Sequence, residues 1–179
     1  MELVRVDAGS PFFRELWALY ESAFPPDERR DMQGQKGIFK RDGYAMFAAL
    51  DAKNGFVGLL DTWEFAGFVF MEHLAVREQL RGKGIGTQIL RRYMSACSKK
   101  VVMEVEKPQT EVQKKRVAFY ERLGFKSNTH AYIQPPYGPG KKPVPMLLMS
   151  YPGTISAEEY PLLRRDIHTV VYGLKEPLA

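Results

Sequence analysis

Hydrophobic positions along the chain change between two spacings, which predicts a fold that contains both strands and helices. Short apolar runs typical of β-strands occupy residues 2–6, 44–50, 56–63, 68–76, 101–105 and 146–151. Apolar residues at helical spacing occupy residues 13–24, 85–98, 112–123 and 163–174. We therefore expect an α/β fold in which helices cover a mixed sheet.

The connections between these runs carry signals of their own. Asn54-Gly55 is a strong hairpin signal, so the runs on either side of it are predicted to pair antiparallel. Residues 68–76, a glycine-rich turn, a helix and residues 101–105 follow one another as a βαβ unit. Such a crossover predicts that its two strands are parallel.

The most informative segment runs from Arg81 to Gly86 and has glycine at alternate positions. Glycine lets the backbone turn tightly and approach a ligand, and the helix that follows presents its positive end. Arg81 and Lys83 add positive charge. A dinucleotide fingerprint is excluded because its third glycine would stand at Thr87, and the Gly-Lys-Ser/Thr of a P-loop is missing. The segment predicts a pyrophosphate site, and the alternative is a glycine turn that binds nothing.

Composition narrows the class of protein. The chain has 179 residues and a net charge of +5, typical of one globular domain, without the basic and aromatic stripe that favours nucleic acid. A single cysteine, Cys97, excludes an internal disulfide. No apolar run approaches the ~20 residues that span a bilayer. We expect a cytoplasmic protein, monomeric or homodimeric, that binds neither nucleic acid nor membrane.

A second signal surrounds Tyr120 on the third predicted helix. Thr110 to Gln113 matches a capping box, which predicts where this helix begins. Gly124 suits the left-handed position that ends a helix, with Phe125 folding back onto the last turn. The alternative for Tyr120 is a core tyrosine whose hydroxyl is satisfied.

Together these segments resemble the GCN5-related N-acetyltransferase (GNAT) superfamily. Arg-x-x-Gly-x-Gly at 81–86 resembles its acetyl-CoA signature, and residues 117–125 resemble its second signature. The resemblance covers residues 1–151 and implies a GNAT acetyltransferase domain with a mostly antiparallel sheet, one splayed parallel strand pair and flanking helices. Residues 152–179 would be a C-terminal helical extension packed on the same domain. Gln113 and Arg116 depart from the residues common in the family.

The resemblance also implies acetyl-CoA as the cosubstrate, without a metal. Pantetheine would pair with a strand, and the pyrophosphate would lie on backbone N–H groups of the glycine loop. Tyr120 would stabilise the leaving thiolate through a hydrogen bond. The implied cofactor-binding residues are Leu74, Ala75, Val76, Arg81, Gly82, Lys83, Gly84, Ile85, Gly86, Thr87 and Gln113.

The attacking amine must lose a proton, so a base or a water chain is required. Glu72 precedes the cofactor-pairing residues and alternates in phase with Leu74, which makes it the first candidate. His73 comes second, because a regular strand would direct it to the opposite face. The alternative for Glu72 is a solvated charge at the end of a strand.

We therefore expect an enzyme that transfers an acetyl group from acetyl-CoA to a primary amine of a small molecule, a peptide or a protein, by direct attack in a ternary complex. The alternative is a non-catalytic acyl-CoA-binding or regulatory module. Residues 24–30 and the aromatic, proline-rich residues 132–140 are candidates for contacts with the acceptor. For residues 132–140 a stiff hairpin connection is an equal alternative, and no motif identifies the amine.

Overall fold

The computed structural model describes residues 1–53 and 55–178. The chain divides into unit 1 (Met1–Lys99) and unit 2 (Lys100–Ala179). The strands are β1 (Glu2–Val6), β2 (Tyr44–Asp51), β3 (Gly55–Glu64), β4 (Phe68–Val76), β5 (Lys100–Glu106), β6 (Lys126–Ser127), β7 (Tyr132–Gln134) and β8 (Val144–Tyr151). The helices are α1 (Phe13–Ala23), α2 (Met32–Ile38), α3 (Ile85–Met94), α4 (Glu111–Arg122) and α5 (Glu159–Asp166).

Unit 1 is built on an antiparallel sheet in the order β1-β2-β3-β4. The predicted pairing of β2 with β3 is confirmed. Gly55 has a φ of +67°, a left-handed conformation that glycine adopts easily, whereas Asn54 lies outside the described residues. The helix predicted from residue 13 ends at Ala23, just before the Pro25-Pro26 pair that cannot continue it.

Gly58 lets α3 approach this sheet closely. A Cβ atom on Gly58 would lie 2.5 Å from the Ala75 carbonyl oxygen and 2.9 Å from Cδ1 of Ile89. Ile89 is fully buried, so α3 and the end of β4 are packed around the same point. This packing fixes the strand that enters the glycine loop and the helix that leaves it.

Helix α3 is shorter than its sequence pattern predicts. The pattern extends to Ser98, but the helix ends at Met94. Beyond it the backbone tightens, because the N–H groups of Ala96 and Cys97 donate to carbonyls only three residues earlier, at 3.0 and 3.2 Å.

Unit 2 has β8 paired antiparallel with each of β5, β6 and β7. The predicted capping box of α4 is confirmed: Thr110 Oγ1 accepts from the Gln113 N–H, and Gln113 Oε1 accepts from the Thr110 N–H. Gly124, with a φ of +92°, ends this helix as predicted. The predicted C-terminal helix begins earlier, at Glu159, and its last turn (Ile167–Val171) widens to π geometry.

The predicted α/β class, with mostly antiparallel strands and flanking helices, is confirmed. Within the described residues, every helix is too short or too polar to cross a bilayer.

Candidate active site

The glycine loop has the backbone geometry of an anion cradle. Gly82 and Gly84 have φ values of +75° and +77°, which side chains rarely tolerate. The first hydrogen bond of α3 runs from the Gln88 N–H to the Gly84 carbonyl at 3.1 Å. The N–H groups of residues 85–87 therefore precede the helical ladder, at the positive end of the helix dipole. This arrangement suits a phosphate group.

Arg81 joins the loop to the end of β4. Its Nε donates to the Val76 carbonyl at 3.2 Å, and both Arg81 and Lys83 are exposed. Two positive side chains thus lie in the same short loop as the N–H groups. A polyanion would meet both kinds of donor there.

The end of β4 is held by β3 along one edge. Leu74, Ala75 and Val76 are opposite Leu60, Leu59 and Gly58, in antiparallel register. Ala75 is buried, whereas Leu74 and Val76 are half-buried. The three residues implied to pair with pantetheine therefore form one continuous strand segment that leads into the glycine loop.

Tyr120 lies in an apolar environment at the end of α4. Its ring contacts those of Phe119 and Phe125, with centroid distances of 5.0 and 5.8 Å. The Phe125 N–H donates to the Tyr120 carbonyl, which is the predicted return of the chain onto the helix. Burial raises the pKa of Tyr120 to about 12, opposed only by the charge of Arg116. The hydroxyl therefore remains a neutral hydrogen-bond donor throughout the physiological range.

The side chain of Gln113 is hydrogen-bonded to the backbone at the start of its own helix. Its Oε1 accepts from the N–H groups of Gln109 and Thr110, at 3.1 and 2.8 Å, and its Nε2 donates to Glu106 at 3.3 Å. The capping box thus uses the amide that the resemblance implied for cofactor binding. A contact between Gln113 and pantetheine stays a prediction.

A bulge in β4 changes the surroundings of Glu72 and His73. His73 is opposite Asp61 and Met71 is opposite Thr62, so Glu72 is an extra residue in the pairing with β3. The expected regular alternation is therefore wrong at this point. Atoms of Asp61, Glu72 and His73 all lie within 4.8 Å of one another, rather than on opposite faces.

The Glu72 carboxylate is buried and bound by two donors. Arg30 Nη1 lies 2.6 Å from its Oε1, and Trp63 Nε1 lies 2.7 Å from its Oε2. The Glu72 side chain has no exposed area, and that of Arg30 is 6% exposed. The alternative interpretation of Glu72 as a solvated charge is therefore wrong.

His73 has acceptors at both ring nitrogens. Its Nδ1 lies 3.1 Å from each oxygen of Asp61, and its Nε2 lies 3.0 Å from the Glu28 carbonyl. Two acceptors require two ring N–H groups, which only the charged imidazolium has. Burial disfavours that charge, but Asp61 outweighs burial, together with Glu72 and the Glu28 carbonyl, so the pKa of His73 is raised.

These side chains form a balanced ionic network in unit 1. The carboxylates of Asp61 and Glu72 are matched by His73 and Arg30, and the Tyr44 hydroxyl donates to Asp61 at 3.0 Å. The side-chain atoms of Asp61, Glu72 and His73 are of the types that bind metal ions. However, the charged ring of His73 and the guanidinium of Arg30 already supply the positive charge that a metal would bring. The arrangement therefore fits a protein-only network.

Asp61 and Glu104 were not predicted from the sequence, and Arg30 was predicted only as the last residue of the acceptor segment 24–30. Asp61 and Arg30 lie within apolar or charged runs whose pattern gives no sign of pairing. In unit 2, the predicted acceptor segment 132–140 supplies Tyr132, whose hydroxyl donates to Glu104 at 2.5 Å. The only signal for Glu104 was that it is the one acidic residue within the apolar run 101–105.

Comparisons with known proteins agree with this geometry. A family model for the acetyltransferase (GNAT) domain matches residues 42–127. A GNAT-family protein from Bacteroides thetaiotaomicron is 30% identical, covers 98% of this chain and 100% of its own, and superposes with a TM-score of 0.90. No curated protein matches the sequence.

Two further solved structures share the fold at lower identity. An aminoglycoside 6′-N-acetyltransferase complexed with coenzyme A is 19% identical, with 84% of this chain and 96% of its own covered and a TM-score of 0.55. A GNAT acetyltransferase from Elizabethkingia anophelis with acetyl-CoA bound is 16% identical, with 83% and 95% covered and a TM-score of 0.58. These two structures show the same fold, whereas the domain match and the 30% identical relative show that the chain belongs to the GNAT family of acetyltransferases.

Proposed function

We propose that this acetyltransferase transfers the acetyl group of acetyl-CoA to the primary amine of a small molecule, a peptide or a protein, by direct attack in a ternary complex. The observation that carries the proposal is the glycine loop, where two glycines of positive φ precede the N-terminus of α3. The coenzyme A and acetyl-CoA bound by proteins of the same fold support acetyl-CoA as the cosubstrate.

The cosubstrate would be held mainly by backbone groups. The pyrophosphate would accept hydrogen bonds from the N–H groups of residues 82–87 and from the Thr87 hydroxyl, while Arg81 and Lys83 supply charge. The pantetheine arm would pair with Leu74–Val76 as an added strand. Backbone recognition of this kind fixes the thioester in place, which contributes to catalysis through alignment.

Tyr120 would assist departure of coenzyme A. With a pKa of about 12, its proton moves unfavourably to a thiolate whose conjugate acid has a pKa near 8.5. Hydrogen-bond donation to the developing thiolate is therefore the role that this tyrosine suits.

Glu72 is our candidate to accept the proton of the amine. Its carboxylate is bound by Arg30 and Trp63. Because the guanidinium of Arg30 occupies this carboxylate, the role requires Arg30 to release it during turnover. His73 is the weaker candidate, since both of its ring nitrogens face acceptors and the charged ring has no free lone pair.

We further propose that residues 1–151 form the acetyltransferase domain and that residues 152–179 are an extension packed on it. Within unit 2 the extension is tied down by polar contacts. The Ile155 N–H donates to Asn128 Oδ1 at 2.7 Å, and Lys100 Nζ lies 2.7 Å from Glu159.

Calorimetric titration with acetyl-CoA tests the proposal. We expect the wild type to bind and Gly84→Glu to lose binding, because the variant adds a strained backbone and a negative side chain at the anion cradle. Gly153→Glu is the matched control, since Gly153 is also exposed, has a φ of +68° and has open space around its missing Cβ. Circular dichroism verifies that both variants are folded.

Two results would contradict the proposal. Wild-type protein that binds no acyl-CoA would exclude the cosubstrate, and equal binding by wild type and Gly84→Glu would exclude the loop. Binding without release of free thiol in the presence of amines would favour the non-catalytic module.

A further inference from the structure

The Tyr120 hydroxyl donates no hydrogen bond within the described part of unit 2, residues 100–178. The residue is nevertheless only 6% exposed. Within this unit its side chain is therefore held by the packing of its ring, without an acceptor that anchors the hydroxyl. Whatever supports the ring thus determines where the hydroxyl oxygen lies.

Phe125 contacts Tyr120 on one side and a second tyrosine, Tyr151, on another. The Phe125 ring lies 5.8 Å from the Tyr120 ring at an interplanar angle of 67°, and 5.7 Å from the Tyr151 ring at 42°. Phe125 is 1% exposed, whereas Tyr151 is 36% exposed. The surface ring of Tyr151 therefore packs against the buried ring that supports Tyr120.

Gly124 makes room for the Tyr151 ring. A Cβ atom on Gly124 would lie 3.1 Å from Cε2 and 3.4 Å from Cδ2 of Tyr151. Gly124 also has a φ of +92°, which side chains rarely tolerate. Tyr151 thus lies directly against the backbone that ends α4, two residues or more beyond Tyr120 in space and close to it in packing order.

The backbone of Tyr151 is itself well fixed. Tyr151 is opposite Val101 in the pairing of β8 with β5. The Ser150 hydroxyl donates to the Gly153 carbonyl at 2.7 Å and accepts from Asn128 Nδ2 at 3.1 Å. Ser150 and Asn128 are both buried. The end of β8 and the first turn of the C-terminal extension therefore hold the Tyr151 ring in place.

We propose that Tyr151 is a positioning residue of this acetyltransferase: through Phe125 it holds the Tyr120 ring where the hydroxyl can donate to the departing thiolate of coenzyme A. The inference rests on the proposed function, because it requires Tyr120 to be that donor. A misplacement of about 1 Å removes much of the benefit of a catalytic group. Tyr151 acts here through its ring, and its own hydroxyl is not needed.

The test uses coenzyme A itself, so it requires no acceptor amine. The thiol of coenzyme A, with a pKa near 8.5, is largely thiolate at pH 9.5, whereas acetyl-CoA has no thiol to titrate. Calorimetry gives the ratio of the two affinities at pH 7 and at pH 9.5. In the wild type this ratio is expected to shift about tenfold towards coenzyme A at pH 9.5, because the thiolate accepts the Tyr120 hydrogen bond. Tyr120→Phe should abolish the shift.

Variants at position 151 separate the ring from the hydroxyl. Tyr151→Leu removes the ring, and its shift is expected to fall below about threefold. Tyr151→Phe keeps the ring, so the wild-type shift is expected. Circular dichroism and acetyl-CoA affinity at pH 7 verify that the variants are folded.

Gly124→Ala tests the same contact from the other side. Its methyl group would displace the Tyr151 ring, so the shift is expected to decrease here too. Gly173→Ala is the matched control, since Gly173 has a φ of +71° and open space around its missing Cβ. The control is expected to keep the wild-type shift.

The outcomes distinguish this inference from the proposed function. Equal shifts in the wild type and Tyr120→Phe would overturn Tyr120 as the donor, and the inference with it. A Tyr151→Leu variant that keeps the full shift, while Tyr120→Phe loses it, would overturn the positioning role alone. Loss of the shift in Tyr151→Phe would contradict support by the ring.

Discussion

The Asp61 carboxylate accepts two hydrogen bonds from His73: one from its backbone N–H at 2.6 Å and one from its ring Nδ1 at 3.1 Å. Both residues are almost fully buried. The ring then reaches the Glu28 carbonyl with its other nitrogen at 3.0 Å. Asp61 therefore holds a charged histidine that ties the segment after α1 to β4.

The Arg30–Glu72 ion pair fixes the same segment a second time. Arg30 reaches Glu72 with its guanidinium at 2.6 Å, and its backbone N–H donates to the Tyr20 hydroxyl at 3.0 Å. The predicted acceptor segment 24–30 is thus attached to the sheet of unit 1 at both Glu28 and Arg30. A segment held by one buried ion pair and by a hydrogen bond from a buried histidine is expected to be rigid, which favours selection of one acceptor shape.

Asp61→Asn is expected to destabilise the protein by about 3 kcal/mol, because it leaves the buried His73 cation without its counter-charge. The free energy of unfolding is measured by urea denaturation. Glu64→Gln serves as the control, since it breaks the more exposed pair between Glu64 and Lys99. That variant is expected to lose less than about 1 kcal/mol. Equal losses in both variants would contradict the buried ion pair.

The His73–Asp61 pair also predicts a pH dependence of stability. Because the pKa of His73 is raised, the native chain keeps a proton that the unfolded chain releases above about pH 6.5. Wild-type stability should therefore fall as pH rises from 6.5 through the folded pKa, by up to about 1.4 kcal/mol per pH unit. Urea unfolding between pH 6 and 9 measures this slope. Asp61→Asn should flatten it, and parallel curves for the two proteins would exclude the pair as its source.

The lowered pKa of His168 predicts that the stability changes with pH in the opposite direction, over a lower pH range. With a pKa lowered to about 4, the native chain stays unprotonated at His168 while the unfolded chain binds a proton below about pH 6.5. Wild-type stability should fall as pH decreases from 6.5 to 4. The carboxylates contribute in the same range, so the difference between wild type and His168→Gln isolates the histidine. The variant should lose less stability on acidification, and an identical loss would contradict a neutral buried His168.

The local parts of the site were predictable from sequence because their chemistry is encoded in short segments. Glycines at alternate positions are seldom required except where the backbone turns tightly or approaches another group closely. Gly82 and Gly84 indeed have positive φ values. The capping box of Thr110 and Gln113 could be predicted equally well, because its hydrogen bonds join residues that are three positions apart. Spacing within ten residues determined both features.

The remainder depended on contacts that sequence spacing does not encode. One extra residue at Glu72 breaks the alternation of β4 and brings His73 to Asp61, which a regular strand would not do. The hydrogen bond between Glu104 and Tyr172 joins residues 68 positions apart. Such pairs require the fold before they can be recognised.

Tyr120→Phe is expected to lower the rate of coenzyme A release about 100-fold, because it removes one donor to the developing thiolate. Acetyl-CoA affinity should be unchanged, since the ring and its packing on Phe119 and Phe125 remain. The rate is measured by free-thiol detection and the affinity by calorimetry. Tyr93→Phe, which removes a hydroxyl from α3, is the control. If the Tyr120→Phe enzyme released coenzyme A at the wild-type rate, Tyr120 would contribute only to packing of the core.

Glu72→Gln tests the proton acceptor. If Glu72 receives the amine proton, the variant should lose at least about 100-fold in kcat/KM, and the acidic limb of the pH–rate profile should disappear. Glu72→Gln also leaves the guanidinium of Arg30 buried without its partner, so a loss of stability is expected whichever role Glu72 has. The double variant Arg30→Met with Glu72→Gln removes that buried charge and separates the two effects. Recovery of stability without recovery of rate would support Glu72 as the base. An acidic limb that persists in Glu72→Gln would instead identify Glu72 as a residue that positions Arg30.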